Sequence, residues 1–271
     1  MKKSFFTLLL LSFLATAANA QILVGDMNGD GNLDVSDVTS IVSIILGNSS
    51  KQYIYGDNMF VDSLIVENHT YVNLGLPSGT LWATSNVGAE SPEDNGDYFA
   101  WGETEGYNEG KTDFSWSTYK WCNGSISTIT KYCNNSSYGN NGFRDILTEL
   151  ELSDDAAYVK WGPAWRMPSK EQFDELINSE YTTTEWTTQN GVNGRKITSK
   201  SNGNSLFLPV AGYRGGSSLN YAGSYGYYWS RTLNPGNPYY AWHLSFDPSF
   251  VGTSNGGRCS GRSVRPVRLS E

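Results

Sequence analysis

Between Tyr71 and Arg268 the chain never sustains a long apolar run. Trp, Tyr, Gly, Asn and Ser fill the stretch instead, so a core must be assembled from aromatic side chains held by short elements and ordered loops. At about 200 residues the stretch is long enough to bury such a core as one domain. It shows no internal repeat of fixed period, which argues against a solenoid or a propeller. The clearest local signal lies at Ser169-Lys170-Glu171-Gln172-Phe173-Asp174-Glu175-Leu176-Ile177. Ser169 and Gln172 have capping-box spacing, and Phe173, Leu176 and Ile177 share a face, so a helix is expected there. A shorter helix is expected from near Ser153, with Asp154 and Asp155 at its positive end. Strands are expected at Tyr71 to Leu74, Thr80 to Thr84, Leu206 to Val210, Tyr227 to Leu233, Tyr240 to Phe246 and Ser263 to Leu269. Strands flanking few helices make the fold class α+β.

The N-terminus has the order of a secretory signal peptide over residues 1–20: Lys2 and Lys3, an apolar run from Phe5 to Ala17, then Ala18-Asn19-Ala20. The expectation is a secreted or cell-surface-associated protein. No later stretch approaches the ~20 apolar residues of a membrane span. The formal charge of −8 becomes two units more negative when Lys2 and Lys3 leave with the leader. A chain this acidic is a poor partner for nucleic acid. The three cysteines, Cys122, Cys133 and Cys259, all follow the leader. Export and short separation predict a Cys122–Cys133 disulfide, leaving Cys259 as a gap filler, an intermolecular bridge or a reactive thiol.

Residues 21–48 carry Asp26, Asn28, Asp30, Asn32, Asp34 and Asp37 around Gly31. Five side-chain oxygens fall at loop positions 1, 3, 5, 9 and 12, with the Asn32 carbonyl at 7 and the glycine turn at 6, which is the spacing a Ca²⁺ ion needs. Val38, Ile41, Val42 and Ile45 follow at helical spacing, and Gly47 is a natural stop. The segment resembles one dockerin type I repeat. Dockerins carry two such repeats and bind cohesin modules; this chain has one clear repeat, since 57–62 does not align as a second. Residues 49–70 read as a linker or an irregular strand pair.

Five motifs carry a second resemblance: Trp82-Ala83-Thr84-Ser85-Asn86-Val87-Gly88-Ala89, Gly96-Asp97-Tyr98-Phe99-Ala100-Trp101-Gly102-Glu103, Trp165-Arg166-Met167-Pro168, Gly191-Val192-Asn193-Gly194 and Gly261-Arg262-Ser263-Val264-Arg265-Pro266-Val267. Together they resemble the Fibrobacter succinogenes major paralogous domain over residues 71–271. That resemblance implies a C-type-lectin-like fold, related to the formylglycine-generating enzymes, and a fold of this kind does not settle activity. Those enzymes use a close pair of cysteines near the C-terminus, where Cys259 stands alone. The calcium-bridged sugar motifs of C-type lectins are missing too.

No catalytic set emerges from the residues. His69 and His243 are the only imidazole bases, and neither has a nucleophile motif or clustered metal ligands. Glu103, Glu105, Glu171 and Glu175 are candidates for a glycosidase pair only as any acid is. A binding surface is better supported. Tyr213, Arg214, Tyr221, Tyr225, Tyr239, Tyr240, Phe250, Asn255 and Arg258 fall among Gly, Ser and Asn between the C-terminal strands, a mixture that binding surfaces favour. These residues are expected on one exposed face that recognises a glycan or a surface protein. Two other readings stay open: a dockerin-bearing accessory protein of a polysaccharide-degrading assembly with a cohesin-like partner, and an enzyme of unrecognised type.

Overall fold

The computed structural model describes residues 69–269, together with the backbone of two short strands, β1 (Ile54–Tyr55) and β2 (Met59–Phe60), which pair antiparallel. These strands belong to a first compact unit, Met1–Glu67, and all that follows belongs to a second, Asn68–Glu271. The expected signal peptide and the calcium loop from Asp26 to Asp37 lie outside the described residues.

In chain order the second unit contains β3 (Tyr71–Asn73), β4 (Thr80–Ala83), α1 (Ala156–Trp161), α2 (Lys170–Leu176), β5 (Thr182–Gln189), β6 (Val192–Ser199), β7 (Ser205–Pro209), β8 (Tyr213–Gly215), β9 (Ser218–Asn220), β10 (Gly226–Leu233), β11 (Tyr240–Phe246), β12 (Val251–Gly257) and β13 (Val267–Leu269). They make small antiparallel sheets of order β13-β4-β3, β5-β6-β7, β10-β11-β12 and β8-β9. The architecture is sheet-rich and mixed, as the α+β reading requires.

The local chemistry of each helix explains its start. Ser169 Oγ accepts from Gln172 N at 3.2 Å and Gln172 Oε1 accepts from Ser169 N at 2.8 Å, closing the capping box at the head of α2. Asp155 is fully buried, caps α1 through Ala157 N and Tyr158 N, and pairs with Arg166 Nε at 2.8 Å. The chain before α1 makes a single 3-10 turn at Leu152–Asp154, so the α-helix begins after Asp155. The β5–β6 hairpin turns at Asn190 and Gly191, whose φ values of 47° and 83° are both positive, as a type I′ turn demands.

Three buried clusters form the interior. One face of α2 (Phe173, Leu176) packs with Trp82, Ile197, Leu206, Leu208, Tyr228, Leu244, Phe246 and Val267. A second cluster gathers Phe99, Trp101, Tyr132, Met167, Trp229, Leu233 and Val264, and a third Tyr98, Phe114, Tyr119, Cys122, Ala211 and Cys259.

Two expectations need correction here. The Cys122–Cys133 disulfide is not formed: all three cysteines are free and buried. Cys122 Sγ donates to Trp116 O at 3.0 Å and Cys133 Sγ to Asn135 O at 3.2 Å, so each thiol is turned to its own local carbonyl. Cys122 instead shares its buried cluster with Cys259. The last strand is also shorter than expected. Val267–Leu269 pairs with β4, while 262 and 263 make single bridges to Phe99 and Tyr228.

Candidate functional site

The sheet β10-β11-β12 has two chemically different faces, and its register assigns each residue to one of them. Tyr228, Leu244 and Phe246 point to the main core beneath α2. Tyr227 and Trp229 take the other face, opposite Ser245 and His243, which in turn lie opposite Gly252 and Ser254. On that second face β12 presents only Gly252, Ser254 and Gly256, which are partly exposed, while Trp229 and His243 beside them are buried. Phe250 closes one end, because a Cβ on Gly252 would stand 2.6 Å from its ring.

Four tyrosines build up beside this floor. Ring centroids of Tyr213 and Tyr227 are 5.5 Å apart, Tyr213 and Tyr221 6.1 Å, Tyr221 and Tyr225 5.3 Å, and Tyr225 and Tyr227 6.0 Å with planes only 10° apart. Pairs at such spacing are worth roughly 0.5–1.5 kcal/mol each beyond burial. The loop between β9 and β10 holds two of them in place. Tyr221 has a left-handed φ of 57°, and its carbonyl accepts from Ser224 N and Tyr225 N at 3.0 Å each. Tyr225 O accepts from Gly212 N at 2.8 Å. Tyr221 remains 57 % exposed, so an ordered loop presents its ring to solvent.

Arg262 reaches this face from the far side. Ser263 bridges Tyr228 in parallel, which sends the Arg262 side chain to the face of Tyr227 and Trp229. Its guanidinium lies 4.2 Å from the Trp229 ring centroid and 5.3 Å from that of Tyr227. The side chain spans the sheet as far as β12, where a Cβ on Gly256 would come within 2.1 Å of Arg262 Nη2. Only glycine permits that approach. Arg262 is 7 % exposed, and its Nε and Nη1 are buried without a hydrogen-bond partner among the described residues. Burial pushes its pKa down to about 9. Leaving a buried donor unpaired costs about 1–3 kcal/mol, which the cation–π contacts only partly offset. His243, 3 % exposed with Nδ1 also unpartnered, is held well below the ordinary histidine value by burial and then by the Arg262 charge. At neutral pH the face therefore carries a cationic guanidinium beside a neutral imidazole.

No family model, curated protein or solved structure matches this chain. The site must be argued from its own residues.

The nine residues expected on one surface divide. Tyr213, Tyr221 and Tyr225 come together, with Phe250 at the edge of the same sheet face. Tyr239 and Tyr240 pair with each other at 4.3 Å, and Tyr239 with Tyr138 at 4.8 Å, at the β11 end opposite Phe246 and the β10 start. Asn255 lies opposite Trp242, on the other face of the sheet. Arg214 turns away because its backbone pairs with Gly261; its guanidinium stacks 3.1 Å over Tyr107 and 5.1 Å over Tyr98. Arg258 is fully buried and belongs to the interior. Its Nε donates to Tyr119 Oη (2.9 Å), Nη1 to Tyr132 O (3.0 Å) and Pro238 O (2.8 Å), and Nη2 to Lys131 O (2.9 Å).

Tyr227, Arg262 and His243 are the members that the binding-face expectation left out. The small residues at alternate positions of β12, Gly252, Ser254 and Gly256, were the available signal. Elsewhere, Glu103 pairs with Lys111 at 2.6 Å and accepts from Lys120 N, and Glu175 accepts from Ser78 N. His69 stacks on Trp161 with ring centroids 3.6 Å apart. These groups are engaged in holding loops and ends of elements together.

Proposed function

We infer that this chain is an exported, non-catalytic binding protein whose ligand seats on the tyrosine cluster Tyr213, Tyr221, Tyr225 and Tyr227. The observation that carries the reading is an aromatic surface that is exposed at Tyr221 yet fixed by its own loop. Ordered rings lose little freedom on binding, so contact area converts to affinity more efficiently than on a mobile loop. Flat π-faces with a serine- and glycine-lined floor suit the apolar faces and hydroxyls of a sugar ring, which favours a glycan over a protein ligand. The loop-rich α+β architecture with small antiparallel sheets accords with a C-type-lectin-like scaffold, on which loops carry the specificity. In the same reading residues 21–48 form a Ca²⁺-organised module after the leader.

The test is a glycan array probed with the protein lacking residues 1–20, alongside Tyr225→Ala. Saturable retention that falls in Tyr225→Ala supports the reading. No retention on any glycan, or retention indifferent to Tyr225, removes it.

A further inference from the structure

We propose that Arg262 forms an anion subsite beside the tyrosine cluster, so that the glycan bound there carries an acidic group, a carboxylate or a sulfate. The inference rests on the tyrosine-face reading and adds the chemical class of the ligand. Arg166, Arg231 and Arg258 show what a settled guanidinium looks like in this fold, each donating to acceptors of the chain, while Arg195 and Arg265 donate too but each keeps one buried nitrogen, Nε and Nη2, without a partner. Arg262 is buried against the Tyr227–Trp229 face of the sheet and has two N–H groups with nothing to donate to among the described residues. The titratable groups that bear on it are Tyr227, Tyr213 and Cys259, with His243 from β11, and none is a carboxylate. Nε and Nη1 lie on different edges of the planar guanidinium, so an oxyanion would meet one of them at a time, through a charge-assisted hydrogen bond. The neighbouring His243, neutral and also unpartnered at Nδ1, adds no competing charge.

The rest of the chain limits what that anion can be. The formal charge of −8, two units more negative without Lys2 and Lys3, repels dense polyanions at long range, so one acidic group on an otherwise neutral sugar fits better than a heparin-like chain. Tyr227 connects the two halves of the site: its ring meets Tyr225 on one side and the Arg262 guanidinium on the other. A sugar ring laid on the tyrosines would thus place a ring carboxylate or sulfate towards Arg262.

The experiment compares three probe pairs by isothermal titration at pH 7: trigalacturonate and its methyl ester, a sulfated galactotriose and galactotriose, and triglutamate and triglutamine. Wild-type protein is expected to bind at least one acidic saccharide tenfold or more tightly than its neutral form. In Arg262→Met that preference should shrink to within about twofold while the neutral form still binds. Because Arg262→Met removes a buried side chain, Ser254→Asp serves as the second variant. It puts a carboxylate on the same sheet face, about 7 Å along the strand from Gly256, and should reduce the preference without emptying the core. Equal binding of acidic and neutral saccharides by wild type, or a preference that survives in both variants, overturns the anion subsite and leaves the tyrosine face standing. Binding of triglutamate with no saccharide bound overturns the glycan assignment, and binding of none of the six overturns the acidic-saccharide subsite, while the tyrosine face itself is decided by the array.

Discussion

Replacing Arg258 by Met should damage the fold and leave ligand recognition to whatever fraction still folds. The side chain is fully buried and makes four hydrogen bonds to three separate loop regions: Tyr119, the Lys131–Tyr132 corner and Pro238. It also lies 4.9 Å from the Trp101 ring centroid. Methionine fills most of the stem volume, so the loss is mainly polar. At about 1 kcal/mol net per bond the four bonds amount to about 4 kcal/mol, before the cost of leaving three carbonyls unpaired. Against a domain stability of roughly 5–15 kcal/mol that is a severe change. For a domain of this size it corresponds to a melting point lower by about 8–16 °C. Urea titration followed by circular dichroism, with a thermal scan in parallel, measures it. A loss below about 1 kcal/mol would refute the argument. So would normal stability combined with lost ligand binding, which would make Arg258 the surface residue that its sequence context suggests.

Two further expectations concern titration and metal. His243 stays neutral in the fold while an unfolded histidine protonates near 6.5, so the unfolded state takes up the extra proton and stability falls as pH drops below 6.5. Urea unfolding at pH 7.5, 6.5 and 5.5 should show a loss of about 0.4 kcal/mol over the first step and about 1 kcal/mol over the second, both of which disappear in His243→Gln; identical profiles for the two proteins would contradict it. Calcium titration calorimetry on the protein lacking residues 1–20 should give a binding isotherm that Asp30→Ala weakens, and an isotherm without heat would remove the Asp26 to Asp37 site.

The legible parts of this sequence are those where one side chain dictates backbone conformation. The capping box at Ser169 and Gln172 placed α2, and alternation in Tyr227 to Leu233 and Tyr240 to Phe246 placed β10 and β11. The β5–β6 hairpin escaped because its strands, Thr182–Gln189 and Val192–Ser199, are polar and half-exposed, although Asn190-Gly191 marks the turn. β12 escaped for a different reason. Val-Gly-Thr-Ser-Asn-Gly-Gly has little intrinsic strand preference, and it is a strand because β11 templates it. The site shows the same division. A tyrosine-rich loop was legible as a candidate binding surface, but how an arginine is paired depends on partners far away in the chain. Arg258 and Arg262 differ by four positions and have opposite fates: Tyr119 and Lys131 surround the first with acceptors, and Trp229 and Gly256 offer the second none.

The central claim is that one aromatic face, and not the whole tyrosine complement, receives the ligand. Protein labelled with ¹³C in its tyrosine rings, titrated with the array glycan that it retains best, reports each ring separately once single Tyr→Phe variants assign the signals. The account predicts shifts at Tyr213, Tyr221, Tyr225 and Tyr227 that saturate together, with Tyr138, Tyr239 and Tyr240 unmoved. Shifts confined to Tyr138, Tyr239 and Tyr240, or spread evenly over both clusters, would contradict it.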